Sequence, residues 1–436
     1  MVERLGTAAI ASWADRDRLA RLSDRLAVAV AVSLPWSTTA TGILVPLWAL
    51  ALLPTLDLAT VRRTLASPAA GLPVVLWLLG LLGMLWSDVD FVEKFTALKS
   101  FHKLLAIPLL LIQFRRSDKG SWVLGGFLAS CIVVLIASWL NLLWPALSTR
   151  GWRMGIPVKD YIVQSGEFLI CAFALTHLAF DAWRTERRGP ALALAALALV
   201  FLANIVFVAT GRSSLVAFAA LVVIIGLQRF GWRGALGIVA AGVVLASVAW
   251  TSSAYLRERV IGVVDEIQQY QTVDAETSAG YRLEFWKKCI EFTAAAPFLG
   301  HGTGSINEQF RRAATGASGA SAAVTGNPHN MTLEISVQFG LVGVVVLYAM
   351  WAAHLMLFRG RGLAAWIGLG VVVQDIVGSL FLSHLFDFTT GWIYVFGVGV
   401  LGAMVLGAEG PPMRQGGAGP RTPVMNSSRP AAGGAK

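Results

Sequence analysis

Several arginines lie in short segments between long apolar runs. They are Arg150 and Arg153 in Arg150-Gly151-Trp152-Arg153, with Gln164 just inside the apolar run that follows, and Arg212 in Thr210-Gly211-Arg212-Ser213-Ser214. Arg282 lies instead in a long polar segment on the same side. A cation near a lipid bilayer is costly unless it reaches the headgroups or binds an anion. Guanidinium groups bind phosphate oxygens bidentately, remain charged and stabilise negative charge on a leaving group. These residues therefore predict a phosphate or pyrophosphate site. For Arg257, Arg259, Arg311 and Arg312, snorkelling to lipid phosphates is an equally good explanation.

His329 is the strongest candidate for proton transfer. It follows Pro328 at the start of a long apolar run, and histidine exchanges a proton near neutral pH. A single histidine at a helix start is more often a cap or a structural hydrogen-bond partner. The arginines on the same side of the apolar runs favour the chemical interpretation, with His301 as second choice.

One long polar segment, residues 253–328, separates these apolar runs. Apolar residues from Leu256 to Tyr270 recur at helical spacing and predict an amphipathic surface helix, and Ala279 to Ala295 predict a second helix. The glycines of Pro297 to Gly304 are spaced like those of a phosphate-binding loop, although no strand precedes them. Gly316 to Gly326 is rich in small residues and could act as a gate.

Composition fixes the fold class. Of 436 residues, 56% are hydrophobic and only 14% are charged, against about 25% charged in soluble domains. Runs of ~20 apolar residues predict about 12 transmembrane helices. The chain is therefore predicted to be an all-α polytopic membrane protein with one long extra-membrane loop containing short helices. The net charge of +10 reflects basic loops and does not indicate nucleic acid. The three cysteines imply no disulfide framework or metal-ligand spacing, and no cleavable signal is evident at the N-terminus.

Basic residues predict the orientation, because they collect in cytoplasmic loops. Both termini are placed in the cytoplasm and the long loop outside. Four regions follow. They are residues 1–252 with about nine transmembrane helices, the loop 253–328, residues 329–408 with about three more helices, and a disordered cytoplasmic tail at 409–436, rich in Gly, Pro and Ser.

The order of these motifs resembles the O-antigen ligase and polymerase superfamily of bacterial inner-membrane glycosyltransferases. The resemblance is carried by Thr210 to Ser214, Tyr281-Arg282 with Pro297 to Gly302, and His329-Asn330 followed by Leu333-Glu334 and Gly340. It implies glycan transfer from undecaprenyl pyrophosphate on the periplasmic side, with arginine contacts to pyrophosphate at Arg212 and Arg282 and an essential histidine at His329. Arg150, Arg153 and Gln164 match more loosely as further substrate contacts.

Within that resemblance we favour a ligase that delivers O-antigen to lipid A–core. The expected reaction is a metal-independent displacement with inversion at the anomeric carbon, and no cofactor is expected. A polymerase or a protein O-oligosaccharyltransferase would use the same donor.

Two further interpretations remain, a metal-dependent mechanism and a transport function. Asp88-Val89-Asp90 with Glu93 could hold a divalent ion, although such carboxylates are more simply acidic topology residues. A transporter of lipid-linked glycan would also need arginines, but it should carry polar residues at mid-membrane depth, where Asn204 and Gln374-Asp375 are the few examples.

Overall fold

A computed structural model describes residues 2–144 and 154–409. Throughout these residues the chain is helical and contains no β-strand, which confirms the predicted all-α fold class. The helices before the long loop are α1 (Val2–Ser33), α2 (Thr38–Leu52), α3 (Leu58–Leu65), α4 (Pro68–Leu82), α5 (Phe91–Phe101), α6 (Ala106–Phe114), α7 (Gly120–Leu143), α8 (Tyr161–Arg184), α9 (Arg188–Phe207) and α10 (Arg212–Ser252). The later helices are α11 (Ala254–Val273), α12 (Ser278–Ala295), α13 (Ile306–Ala313), α14 (Met331–Leu357), α15 (Leu363–Gly378), α16 (Phe388–Phe396) and α17 (Gly402–Glu409).

Within the described residues, nine helical segments are long and apolar enough to cross a membrane. This is fewer than the roughly 12 runs that the sequence predicts, for three reasons. The apolar part of α1 continues from a charged N-terminal part of the same helix. Helix α15 has only 16 residues, short of the ~20 that a perpendicular span needs. Helix α10 contains two predicted runs in one 41-residue segment.

Helix α10 is a hairpin. Gly231 adopts φ 68° and ψ −169°, which no helix contains. A Cβ on Gly242 would lie 3.5 Å from a methyl of Val222, whereas twenty residues of straight helix would separate them by about 30 Å. The chain therefore reverses at Gly231, and the predicted runs near 212–228 and 233–252 are both present.

Helix α14 is interrupted at Gly340, which has φ 58° and ψ −149°. The interruption frees backbone groups that must find partners, because an unpaired peptide group in a membrane is costly. The segment 297–302 supplies them, and we call this arrangement the backbone clamp. Its hydrogen bonds run from Leu341 N to Pro297 O (2.8 Å), Val342 N to Phe298 O (3.3 Å), His301 N to Val337 O (2.9 Å) and Gly302 N to Gln338 O (2.9 Å).

The long loop is folded onto the helices. Helices α11 and α12 occupy the two stretches for which the sequence predicts helices, and they pack against each other. Phe285 and Cys289 of α12 form a small apolar core with Phe310 of α13 and Val337 of α14. This core fixes α12 above the start of α14. It thereby brings Arg282, on the first turns of α12, towards His329.

Candidate active site

Arg212 begins helix α10 and is held by the long loop. Its Nη2 lies 2.7 Å from Oε1 of Glu266 and its Nη1 lies 3.3 Å from Oε2, so the pair is bidentate. The Nε donates to the backbone oxygen of Arg259 at 3.0 Å. Hydrogen bonding by Arg212 holds the pKa of the Glu266 carboxyl below its ordinary value. The guanidinium therefore stays close to α11, with about a quarter of the side chain exposed.

Arg282 is the free cation of the site. Within residues 2–144 and 154–409 its guanidinium has no hydrogen bond and no ion pair, although the residue is half-buried. Burial lowers the pKa of the Arg282 guanidinium, and the positive charge of Arg212 acts in the same direction. Two guanidinium groups are thus close enough to repel each other. An anion between them would relieve both the repulsion and the burial.

His329 lies on the other side of Arg282. Its ring stacks on Phe285 of α12, with ring centroids 6.5 Å apart. In the described part of the chain neither ring nitrogen has a hydrogen-bond partner, and Nδ1 is fully buried. Burial lowers the pKa of the imidazole, and the charge of Arg282 lowers it further. The ring is therefore neutral at pH 7 and can accept a proton.

Asn330 caps the N-terminus of helix α14, so the side chain of His329 is not needed as a cap. The Oδ1 of Asn330 accepts a hydrogen bond from Leu333 N at 3.1 Å, and its Nδ2 donates to Leu380 O. His329 itself adopts φ 55°, a left-handed conformation that non-glycine residues rarely take. Its backbone N–H donates to Oδ1 of Asn327 at 2.8 Å. Two asparagines thus hold the histidine backbone while its ring takes no structural part.

We expect Asn330→Ala to destabilise the protein by about 1 kcal/mol through the lost cap. We also expect lower turnover, because the backbone that aims His329 loses an anchor. Thermal unfolding in detergent and transfer rates on the same preparation would measure both effects. Asn330→Ser keeps a capping oxygen and should restore the stability. An unchanged unfolding midpoint in Asn330→Ala would contradict the assigned cap.

Arg259 joins the site, although no sequence pattern ranks it above Arg257. Its guanidinium lies 4.5 Å from the ring centre of Tyr161, at the start of α8, and its Nε is buried without a hydrogen-bond partner. Arg257, by contrast, donates to the backbone oxygens of Trp250 and Thr251. Tyr161 also lies within electrostatic range of Arg282. No pattern in the sequence distinguishes these two arginines. Only the contact with Tyr161 in the folded protein does.

The remaining predicted contacts are not brought to this cluster. Gln164 is buried, and its amide donates to Ser138 Oγ, Gly155 O and Asn204 Oδ1 at 3.1–3.2 Å. These bonds use its donors within the protein, so Gln164 connects α8 to α7 and α9. Arg150 and Arg153 lie outside the described residues.

The glycine turn is not a phosphate-binding loop. The backbone N–H groups of His301 and Gly302 belong to the backbone clamp, that of Thr303 donates to Gly83 O, and that of Gly304 donates to Gln338 Oε1. Gly300 N donates to Ala296 O, so every amide from Gly300 to Gly304 is bonded within the protein. The ring of His301 is also engaged, with Nε2 2.9 Å from the carbonyl oxygen of Phe292. His301 therefore has a structural role.

Asp90 and Glu93, two of the acidic residues considered as metal ligands, have other contacts. Asp90 caps α5 by accepting a hydrogen bond from Glu93 N at 2.9 Å. Glu93 forms an ion pair with Arg311 at 3.5 Å. Among the described residues no group of three or more His, Cys, Asp or Glu side chains could hold a metal ion.

Comparison with protein families adds a finding that agrees with this geometry. Residues 197–348 match the family model described as O-antigen ligase. This segment of the chain is similar to the O-antigen ligase family. This confirms the resemblance drawn from the motifs, and the matched segment contains Arg212, Glu266, Arg282 and His329. The O-antigen ligase match begins after Arg150, Arg153 and Gln164, so it does not bear on them. No curated protein matches the chain.

Proposed function

We propose that this protein transfers a glycan from undecaprenyl pyrophosphate to lipid A–core, as an O-antigen ligase. The observation that carries the proposal is the free guanidinium of Arg282, which lies within electrostatic range of both Arg212 and His329, whose ring nitrogens have no hydrogen-bond partner among the described residues. Arg212, Arg259 and Arg282 face one carboxylate, Glu266, within this cluster. The resulting excess of positive charge suits a pyrophosphate diester. The site belongs to the periplasmic face of the inner membrane, with both termini in the cytoplasm.

In the proposed reaction, an acceptor hydroxyl attacks the anomeric carbon of the lipid-linked glycan. The new C–O bond forms as the bond from that carbon to the pyrophosphate oxygen breaks, with inversion. His329 takes the proton of the attacking hydroxyl. Undecaprenyl pyrophosphate leaves as an anion, and Arg212, Arg259 and Arg282 stabilise the developing charge. Arg150 and Arg153 remain proposed donor contacts. The reaction needs no metal or cofactor.

Polymerisation of the lipid-linked glycan or transfer to a protein hydroxyl would use the same arginines and differ only in the acceptor. Transport of the lipid-linked glycan is less favoured. Asn204, one of the few polar residues at depth, donates to Ser138 Oγ at 2.9 Å and accepts from Gln164, so it forms part of the helix packing.

A reconstitution experiment tests the proposal. The purified full chain in vesicles should join glycan from undecaprenyl pyrophosphate to lipid A–core, with full activity in excess EDTA. Elongation of the lipid-linked glycan without lipid A–core would indicate a polymerase, and movement of the glycan without covalent transfer would indicate a transporter. Loss of activity in EDTA with recovery on adding Mg²⁺ would contradict the metal-independent mechanism.

A further inference from the structure

A polar cavity lies beside the arginine cluster, and no step of the proposed chemistry uses it. It has a volume of about 360 Å³, is open to solvent, and lies between α5, the start of α13 and the first turns of α14. We call it the Glu334 cavity. Its polar lining includes Glu93, Thr96, Ser100, Asn307, Glu334 and Gln338, and Gly326 forms part of its wall. Small-molecule sites typically measure about 300–1,000 Å³.

Glu334 points to a ligand. The side chain is only 7% exposed, yet its Oε2 has no hydrogen-bond partner. A buried carboxylate oxygen without a donor is destabilising, so such atoms are normally satisfied by protein, water or ligand. Lys103, the nearest buried cation, donates to the backbone oxygens of Phe386 and Asp387 instead. Glu334 lines the cavity, so its carboxyl group brings unused hydrogen-bonding capacity to a ligand that enters there.

The wall around Glu334 is held in place. Gln338, one turn further along α14, donates to Glu334 O at 3.2 Å and accepts from Gly304 N at 2.9 Å. Across the cavity, Thr96 and Ser100 lie one turn apart on α5. Neither hydroxyl has a hydrogen-bond partner among the described residues. Phe101, Phe386 and Ile306 supply apolar walls. A fixed carboxylate, free hydroxyls and aromatic surfaces suit a polyhydroxylated ring.

The Glu334 cavity differs from the arginine cluster in the charge of its lining. No basic residue lines it among those described, and two carboxylates do. Arg311 lies nearby, but it is engaged by Glu93, Asn307 and Glu308. A phosphate would be repelled here and attracted by the arginines, whereas a neutral sugar would be accepted. The two sites are also adjacent, because Gly326 is only three residues from His329, at most about 11 Å of extended chain.

We propose that the Glu334 cavity binds the acceptor, as a neutral sugar residue whose hydroxyls donate hydrogen bonds to Glu334. This inference rests on the proposed transfer reaction. Glu334 is a binding residue here and takes no proton. It holds the acceptor sugar within reach of His329, and the donor pyrophosphate occupies the arginine cluster.

The test is steady-state transfer in vesicles by the full chain, with lipid A–core and the lipid-linked glycan varied separately. Glu334→Gln should raise the acceptor KM by about tenfold, because the amide offers one acceptor oxygen where the carboxyl group offers two. The donor KM should change less than about twofold. Glu291→Gln is the matched control, because Glu291 is an exposed carboxylate of α12 that does not line the cavity.

A second variant tests the inference independently, in case Glu334→Gln does not fold. Thr96 is exposed, so Thr96→Trp should fold and fill the cavity from α5, raising the acceptor KM in the same way. A raised donor KM with an unchanged acceptor KM in either variant would assign the cavity to the donor glycan and overturn the inference. Unchanged KM values for both substrates would show that it binds no sugar. Absence of transfer by the wild type would overturn the proposed function itself, which is a separate outcome.

Discussion

Arg282→Ala is expected to reduce glycan transfer by about 100- to 1,000-fold while the protein remains folded. The fold should survive because the guanidinium has no hydrogen bond or ion pair in the described chain, and because alanine is a good helix former. The catalytic effect should be large because, among the described residues, no protein carboxylate forms an ion pair with Arg282. Transfer rates and thermal unfolding of the purified protein would measure the two expectations.

Lys287→Ala is the control for this prediction, because Lys287 is an exposed cation on the same helix. It should leave transfer unchanged. Arg282→Lys should recover only part of the activity, since an ammonium group keeps the charge but cannot bind phosphate bidentately. Full activity in Arg282→Ala would remove the pyrophosphate role from this residue.

His329→Asn is expected to reduce kcat by about 100- to 10,000-fold, the usual contribution of a general base. Asparagine is the suitable replacement because it tolerates the left-handed backbone at φ 55° better than other residues. The wild-type rate should be flat at neutral pH and fall tenfold per pH unit below the pKa of the ring. Burial and the charge of Arg282 lower that pKa, so this acid limb should lie below the ordinary value of 6.5.

The pH profile distinguishes a base from a structural histidine. Loss of the base should abolish the acid limb in His329→Asn, so that the residual rate no longer depends on pH in this range. In Arg282→Gln the limb of the residual activity should move to higher pH, because a charge that disfavours protonation of His329 is removed. Retained transfer in His329→Asn together with its loss in Arg212→Ala would disprove the base assignment and preserve the arginine role.

The sequence predicts the broad architecture because the physical signals for it are local. Apolar runs at membrane length give the helices, and even the two halves of α10 are visible as separate runs. Arg212 and His329 stand out because each lies next to an apolar run, whereas Arg282 lies in the long loop and is singled out by the motif resemblance. The sequence also places them on one side, and the structure puts all three within one electrostatic neighbourhood.

What the sequence does not predict depends on contacts distant along the chain. Glu266 is one of several charged residues on α11, and only the folded loop shows that it binds Arg212. The glycine turn has the spacing of an anion-binding loop, but its amides are used by residues more than thirty positions away. Gln164 looks like a substrate contact until its amide is seen bound to Ser138, Gly155 and Asn204.

The backbone clamp also determines how substrates can enter. Opening the loop at its 297–302 end would break several backbone hydrogen bonds in a region with little water to replace them, at a cost of several kcal/mol. The other end contacts the membrane helices through side chains, namely the ion pair of Arg212 with Glu266, the contact of Arg259 with the Tyr161 ring and the hydrogen bond from Ser253 Oγ to Val206 O, and an incoming pyrophosphate can take over the arginine contacts. Opening motions of the loop on the microsecond-to-millisecond scale should therefore occur at its α11 end and not at its 297–302 end. Helix α11 swings, the α12–α14 junction acts as the pivot, and the long-tailed donor enters from the α11 side.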